Sequence, residues 1–239
     1  MPMPDTFGLF ETIAVFRSRP IFLDQHLKRL DDGLRRISLP ASAYQRSDAK
    51  ARLEKAAGEM EHGVLRLAVT KDAVEITTRE NPYREESYRR GFQISFSSVF
   101  RKEDDPMVYV KSMERSLLNK EREIAKARGY DEVIFLNQKG EISEGSVSNV
   151  FCVKGSHVFT PPVASGLLNG ILRQYLLSTY DNITESALRK EDLFSADEIF
   201  LTNSLMGIMP VSAVDGIVKK DHSIAEQFQK QYLKNLSVL

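Results

Sequence analysis

A lysine set among apolar residues, Met107-Val-Tyr-Val-Lys111-Ser-Met113, is followed 33 positions later by a glutamate that opens a small-residue turn, Gly140-Glu-Ile-Ser-Glu144-Gly-Ser-Val-Ser-Asn149-Val-Phe151. Desolvation by Val108, Val110 and Met113 would favour the neutral amine, the nucleophilic form of lysine. A buried carboxylate nearby can hold a heteroaromatic nitrogen protonated. An amine nucleophile and such a carboxylate together suggest pyridoxal-phosphate chemistry, in which the cofactor acts as electron sink.

Three other groups bear on the same chemistry. Gly166-Leu-Leu-Asn-Gly170-Ile-Leu-Arg173 is a glycine-bracketed loop running into a helix, where backbone N–H groups without intrahelical acceptors could bind phosphate. Thr202-Asn203-Ser204 offers hydroxyl and amide groups at a strand end. Arg29 is a cation on a helix whose Leu27 and Leu30 face inward. Singly, each has an ordinary reading: a solvated lysine, an exposed Glu-Gly turn, a helix start, a surface arginine, a polar loop.

The elements that must position these residues alternate between strand and helix. Leu9 to Phe16 and Pro20 to Leu23 read as strands around Arg17-Ser-Arg19. Asp24 is the expected N-cap of a helix carrying Leu27, Leu30, Leu34 and Ile37 and ended by Pro40. A second helix spans Ser47 to Met60, and Val64 to Thr70 and Ala73 to Thr78 form a hairpin over Lys71-Asp72. Phe92 to Ser98 is a strand, and the charged stretch Arg101 to Pro106 reads as an exposed linker. Then come a helix to about Arg128 with Gly129 as its C′ residue, the strands Glu132 to Asn137 and Asn149 to Val153, a helix over Gly170 to Tyr180, a strand over Glu198 to Leu201 and a closing helix over Ser223 to Leu236. The pattern predicts an α/β (α+β) chain in two parts, a smaller N-terminal domain over 1–104 and a larger one over 105–239 that carries Lys111.

Composition removes several classes. Among 239 residues, 33 Lys+Arg balance 33 Asp+Glu, so no net field draws the chain to nucleic acid or an anionic membrane. The single cysteine, Cys152, allows no intrachain disulfide and fits a reducing, cytoplasmic setting. Met1-Pro-Met-Pro-Asp5 has neither a basic nor an apolar leader region. The two long uncharged stretches, Gly155 to Leu172 and Ile199 to Val214, are broken by polar or helix-breaking residues, so no membrane span is expected. No metal site is expected either.

The order of the blocks Phe7-Gly-Leu-Phe-Glu-Thr12, His26-Leu-Lys-Arg29-Leu30, Lys111, Gly140 to Phe151, Thr160-Pro-Pro162, Gly166 to Arg173 and Thr202-Asn203-Ser204 resembles the fold-type IV, or class IV aminotransferase-like, pyridoxal-phosphate enzymes. The resemblance covers nearly the whole chain. It implies a two-domain fold like that of D-amino-acid aminotransferase, with pyridoxal 5′-phosphate at the domain interface, and a homodimer. Carried over by residue, Lys111 is the lysine that binds the cofactor covalently and Glu144 the partner of its pyridine nitrogen. Arg29, the backbone at Ile171 and Leu172, and the side chain of Ser204 hold the phosphate, and Leu168 packs on the pyridine ring.

Within that family, Asp192-Leu-Phe-Ser-Ala-Asp-Glu-Ile-Phe-Leu-Thr-Asn203-Ser-Leu-Met-Gly-Ile-Met-Pro-Val211 looks most like the aminodeoxychorismate lyases, where the residue matching Asn203 lies at the substrate. Leu9-Phe-Glu-Thr12 resembles lyase domains fused to a synthase subunit, which places Phe10 towards the substrate and implies association with an aminodeoxychorismate synthase. The implied activity is release of 4-aminobenzoate and pyruvate, a step of folate biosynthesis. The hairpin after Arg66 lacks the arginine-and-histidine motif of the D-amino-acid enzymes, and Ser116 stands where branched-chain aminotransferases have tyrosine. Glu144-Gly-Ser-Val-Ser-Asn-Val-Phe151 is nearer to the aminotransferases, so an aminotransferase for branched-chain or D-amino acids is the alternative.

Overall fold

The structure, a computed structural model, describes residues 7–238; the N-terminal pentapeptide that bears on a leader lies outside them. By compactness the chain divides into Met1–Pro82 with Tyr109–Arg115, and Tyr83–Val108 with Ser116–Leu239. The division falls at 82/83 rather than at 104/105, and Lys111 groups with the first unit rather than the second.

The first unit contains β1 (Gly8–Phe16), β2 (Arg19–Pro20), α1 (Leu23–Arg36), α2 (Arg46–Gly58), β3 (His62–Thr70) and β4 (Val74–Arg79). Its antiparallel sheet runs β2-β1-β3-β4. In β1, Leu9, Glu11, Ile13 and Val15 are buried while Phe10, Thr12, Ala14 and Phe16 are half-buried, the alternation a strand with one covered face must show. Arg17 and Ser18 turn the chain with φ of 51° and 59°, the geometry that matches the twist of a two-residue hairpin. α1 buries Leu23, Leu27, Leu30 and Leu34, worth about 1.5–3 kcal/mol each. Gly33 lets the helix close on β1, since a Cβ there would lie 2.8 Å from Leu9 Cδ1. Asp24 is not the N-cap: that position is Phe22, in the left-handed region at φ 53°, and Asp24 sits in the first turn, where its charge suits the helix dipole.

The second unit contains α3 (Glu85–Arg90), β5 (Phe92–Arg101), α4 (Ser116–Ala127), β6 (Glu132–Asn137), β7 (Ile142–Gly145), β8 (Asn149–Lys154), β9 (His157–Thr160), α5 (Ile171–Thr179), β10 (Ile183–Glu185), α6 (Lys190–Ser195), β11 (Glu198–Asn203), β12 (Gly207–Val214), β13 (Ile217–Val218) and α7 (Ser223–Val238). Its nine-stranded sheet runs β10-β9-β8-β11-β12-β5-β6-β7, with β13 on β12. β5 pairs in parallel with both β6 and β12, and this pairing takes it away from the N-terminal part. Its continuation to Arg101 also shortens the expected linker, whose first residue ends a strand and whose last opens a 3₁₀ turn, Pro106–Tyr109. β6 is buried throughout, as are most residues of β8 and β11, so their Val, Ile, Phe and Leu runs read as strands covered on both faces. Ile94, Ile134, Val150, Ile199, Leu201 and Val211 belong to its core. Among the described residues no helix is long and apolar enough to cross a membrane.

Candidate active site

In the first unit, Lys111 lies on a segment that returns to the edge of β1. Phe10 N–H donates to Lys111 O at 2.9 Å, Met113 N–H donates to Gly8 O at 2.9 Å, and Leu9 bridges to Ser112. These bonds fix the lysine backbone against the residues that precede Glu11. Lys111 is half-buried and its Nζ stands 4.7 Å from the centroid of the Phe10 ring. The guanidinium groups of Arg66 and Arg115 lie 4.9 and 5.9 Å from the same centroid. Phe10, expected at the substrate, is thus an aromatic ring that the Lys111 amine and two guanidinium groups surround, the guanidinium charges being attracted by the ring face.

On the covered face of the sheet, Glu11 gathers His26 and Arg29 from α1. Arg29 Nε donates to Glu11 Oε1 at 2.8 Å and Nη2 to Oε2 at 2.6 Å, while His26 Nδ1 lies 2.6 Å from Oε2. Burial alone would raise the Glu11 carboxyl, but the Arg29 charge and the His26 contact outweigh it and hold it at about 2. His26 lies below its ordinary value, lowered first by burial and further by Arg29 and Lys111, against the pull of Glu11. It is therefore neutral, and since an ionised Glu11 can only accept, its Nδ1 carries the proton. Arg29 is aimed by this anchor before it meets any ligand. In the sequence the signal for Glu11 is a carboxylate on the core-facing phase of β1, because buried charge demands a partner.

In the second unit, Glu144 is buried on β7, not in an exposed turn. Its Oε1 accepts from Arg101 Nη2 at 2.9 Å and its Oε2 from the Leu168 N–H at 3.1 Å. Asn149 Nδ2 donates to Leu168 O at 3.0 Å and Ser143 Oγ to Gly166 O at 2.8 Å. The Glu144 motif and the glycine-bracketed loop are thus brought together, with the Leu168 peptide held at both ends. Gly170 is required by this clamp, because a Cβ there would collide with Asn149 Oδ1. Glu132, which sequence reasoning missed, builds the turn that follows Glu144. Its Oε1 accepts from Ser146 N–H at 3.1 Å and from Ser146 Oγ, and its Oε2 from Val147 N–H at 3.1 Å and Ser148 Oγ at 2.9 Å.

The phosphate donors expected here fit an anion. Ile171 and Leu172 open α5, where N–H groups have no intrahelical acceptor, and the cap residue Gly170 supplies no side chain to satisfy them. Thr202 Oγ1 is buried without a partner, and Ser204 is half-buried in the turn between β11 and β12. Asn203, expected at the substrate, is half-buried at the end of β11. Its Oδ1 accepts from the Leu205 and Met206 N–H groups at 2.8 Å, and its Nδ2 donates to Tyr83 Oη at 3.1 Å and Val147 O at 3.2 Å, so both ends of the amide are committed to shaping that turn.

Residues 8–214 match the family model described as amino-transferase class IV, and the chain belongs to that family of pyridoxal-phosphate enzymes. It is 27% identical over 237 residues, 88% of this chain and 78% of the relative, to an aminodeoxychorismate lyase of Bacillus subtilis. Over 97 residues, 39% of this chain and 31% of the relative, it is 40% identical to a branched-chain-amino-acid aminotransferase of Escherichia coli. The crystal structure of 4-amino-4-deoxychorismate lyase from Pseudomonas aeruginosa superposes with a TM-score of 0.82 at 26% identity, covering 96% of this chain and 91% of that one.

Proposed function

We propose that the chain is a 4-amino-4-deoxychorismate lyase that forms 4-aminobenzoate and pyruvate, and so serves folate biosynthesis. The observation that carries this reading is Lys111 over the Phe10 ring with Arg66 and Arg115 beside it. An aromatic ring with two guanidinium groups beside it suits a flat ring bearing two carboxylates better than a small aliphatic amino acid. The likeness to the Bacillus subtilis lyase along 88% of the chain supports it.

In this reading Arg29, the N–H groups of Ile171 and Leu172, and the Ser204 hydroxyl hold the phosphate, Leu168 packs against the pyridine ring, and Glu144 accepts from its nitrogen. Bound pyridoxal phosphate supplies an electron sink at the substrate amine. Lys111 Nζ removes the proton from the aminated ring carbon. The C–O bond to the enolpyruvyl group then breaks, the ring becomes aromatic, and the departing enolate takes up a proton to become pyruvate. Asn203 acts through the turn that carries Ser204. The protein works as a cytoplasmic homodimer, alone or beside an aminodeoxychorismate synthase.

The second reading, an aminotransferase, is favoured by the Glu144 to Phe151 segment and by the stretch 40% identical to the Escherichia coli enzyme. Elimination needs one substrate, whereas transamination stalls until a keto acid arrives. Sustained pyruvate release from aminodeoxychorismate without added keto acid is the expected result. Conversion of the cofactor to its amine form by leucine, alanine or glutamate of either hand, with no pyruvate from aminodeoxychorismate, would overturn the lyase reading.

A further inference from the structure

Arg101 ends β5 opposite Asn137 of β6, and its guanidinium reaches Glu144. The two side chains are 13% and 9% exposed, so water does little to screen the pair. Arg101 Nε is buried with no hydrogen-bond partner, so the side chain is held there at a cost in unsatisfied polarity. Local structure does not require that cost, since the β5–β6 pairing at this position is made by backbone. What the guanidinium adds is a fixed positive charge on one oxygen of Glu144, while the other accepts the Leu168 N–H.

A proton shared between a carboxylate and a heteroaromatic nitrogen has two places to sit. On the nitrogen it leaves an ion pair; on the oxygen it leaves two neutral groups. A buried site favours the neutral arrangement, because separated charge is poorly solvated there. A cation on the far side of the carboxylate reverses that preference by stabilising the anion. We propose that Arg101 is a positioning residue that keeps Glu144 anionic and correctly turned, so that the shared proton sits on the nitrogen of the bound cofactor. This rests on the reading of Glu144 as the partner of that nitrogen.

The test uses the holoenzyme reconstituted with pyridoxal phosphate carrying ¹⁵N in its ring, and reads the ¹⁵N shift at neutral pH in the native protein and in Arg101→Met, Arg101→Gln, Arg101→Lys and Glu144→Gln. The native protein and Arg101→Lys should show a protonated nitrogen. Arg101→Met and Arg101→Gln should move the resonance towards the unprotonated value, as should Glu144→Gln. Cofactor affinity by dialysis should change less than about threefold in Arg101→Gln, since the phosphate donors lie elsewhere, while kcat falls about ten- to a hundredfold with KM little changed. If Glu144→Gln moves the resonance and neither neutral Arg101 variant does, Arg101 has no such role and the Glu144 reading stands. If none of the three moves it, the Glu144 reading fails and the role of Arg101 with it. Arg101→Gln keeps hydrogen-bonding capacity without charge, so it carries the test should Arg101→Met not fold.

Discussion

Glu11→Gln offers the sharpest check on how Arg29 is aimed. The substitution keeps shape but removes the charge that pairs with Arg29 and puts an amide N–H₂ where one carboxylate oxygen accepted from Arg29 or His26. Lowering of the Glu11 carboxyl from 4.5 to about 2 corresponds to about 3 kcal/mol, at about 1.4 kcal/mol per tenfold change. Breaking one partner out of a buried pair costs about 3–5 kcal/mol by independent measure, so the two magnitudes agree. Because the folded value lies below the unfolded one, this stabilisation is complete above about pH 4.5 and is lost as pH falls towards 2. Urea unfolding followed by far-UV circular dichroism, since the chain has no tryptophan, should show the midpoint of Glu11→Gln about 1.5–2.5 M lower at pH 7, for an m-value of about 2 kcal/mol/M. The gap between variant and native protein should close as both are brought towards pH 2–3. A variant within about 0.5 kcal/mol of native at pH 7, or a gap that does not change with pH, would refute the account of Glu11 as a buried anionic anchor.

Lys111→Ala should lose both the absorbance band above about 400 nm that a lysine-bound cofactor gives and turnover, by several orders of magnitude; ordinary activity would dismiss the assignment of this lysine. Arg29→Ala should weaken cofactor binding about ten- to a hundredfold, with activity restored by excess cofactor; a folded variant that excess cofactor does not rescue would place Arg29 on the substrate instead. Asn203→Ala removes four hydrogen bonds from the turn between β11 and β12. It should lower the melting temperature by several degrees and raise KM, at about 0.5–1.5 kcal/mol per bond lost; an unchanged melting temperature would mean that the turn is held by other contacts.

Much of the local fold was legible because periodicity and punctuation agree. The stripe Leu27, Leu30, Leu34 marks α1, the turn at Lys71-Asp72 marks the β3–β4 hairpin, and Glu132 to Asn137 was read to the residue. The division of the chain was not legible, because β5 is claimed by strands more than thirty and a hundred residues downstream, and long-range pairing leaves no trace in a local window. The same limit hid Arg101, which reads as the start of a charged linker until β6 and β7 bring Glu144 beside it. Glu132 was overlooked because a strand of apolar residues absorbs one carboxylate without disturbing its pattern. Residue type alone points to Asp24 as the helix cap, whereas the chain uses backbone geometry at Phe22.

The first compact unit is not finished when its last strand has been made. Tyr109–Arg115, which hydrogen-bonds Gly8 and Phe10 on either side of Leu9, is translated after the twenty-six residues Tyr83–Val108 that belong elsewhere. Until residue 115 has left the ribosome, the start of β1 presents an unpaired edge, the kind of edge that recruits foreign strands. The interval is lengthened by β5, which emerges before β6 and β12 exist to receive it. Residues 1–82 expressed alone would keep that edge open permanently. The placement of the lysine is therefore bound to the order of synthesis: the segment that carries Lys111 is the one that closes the sheet beneath it.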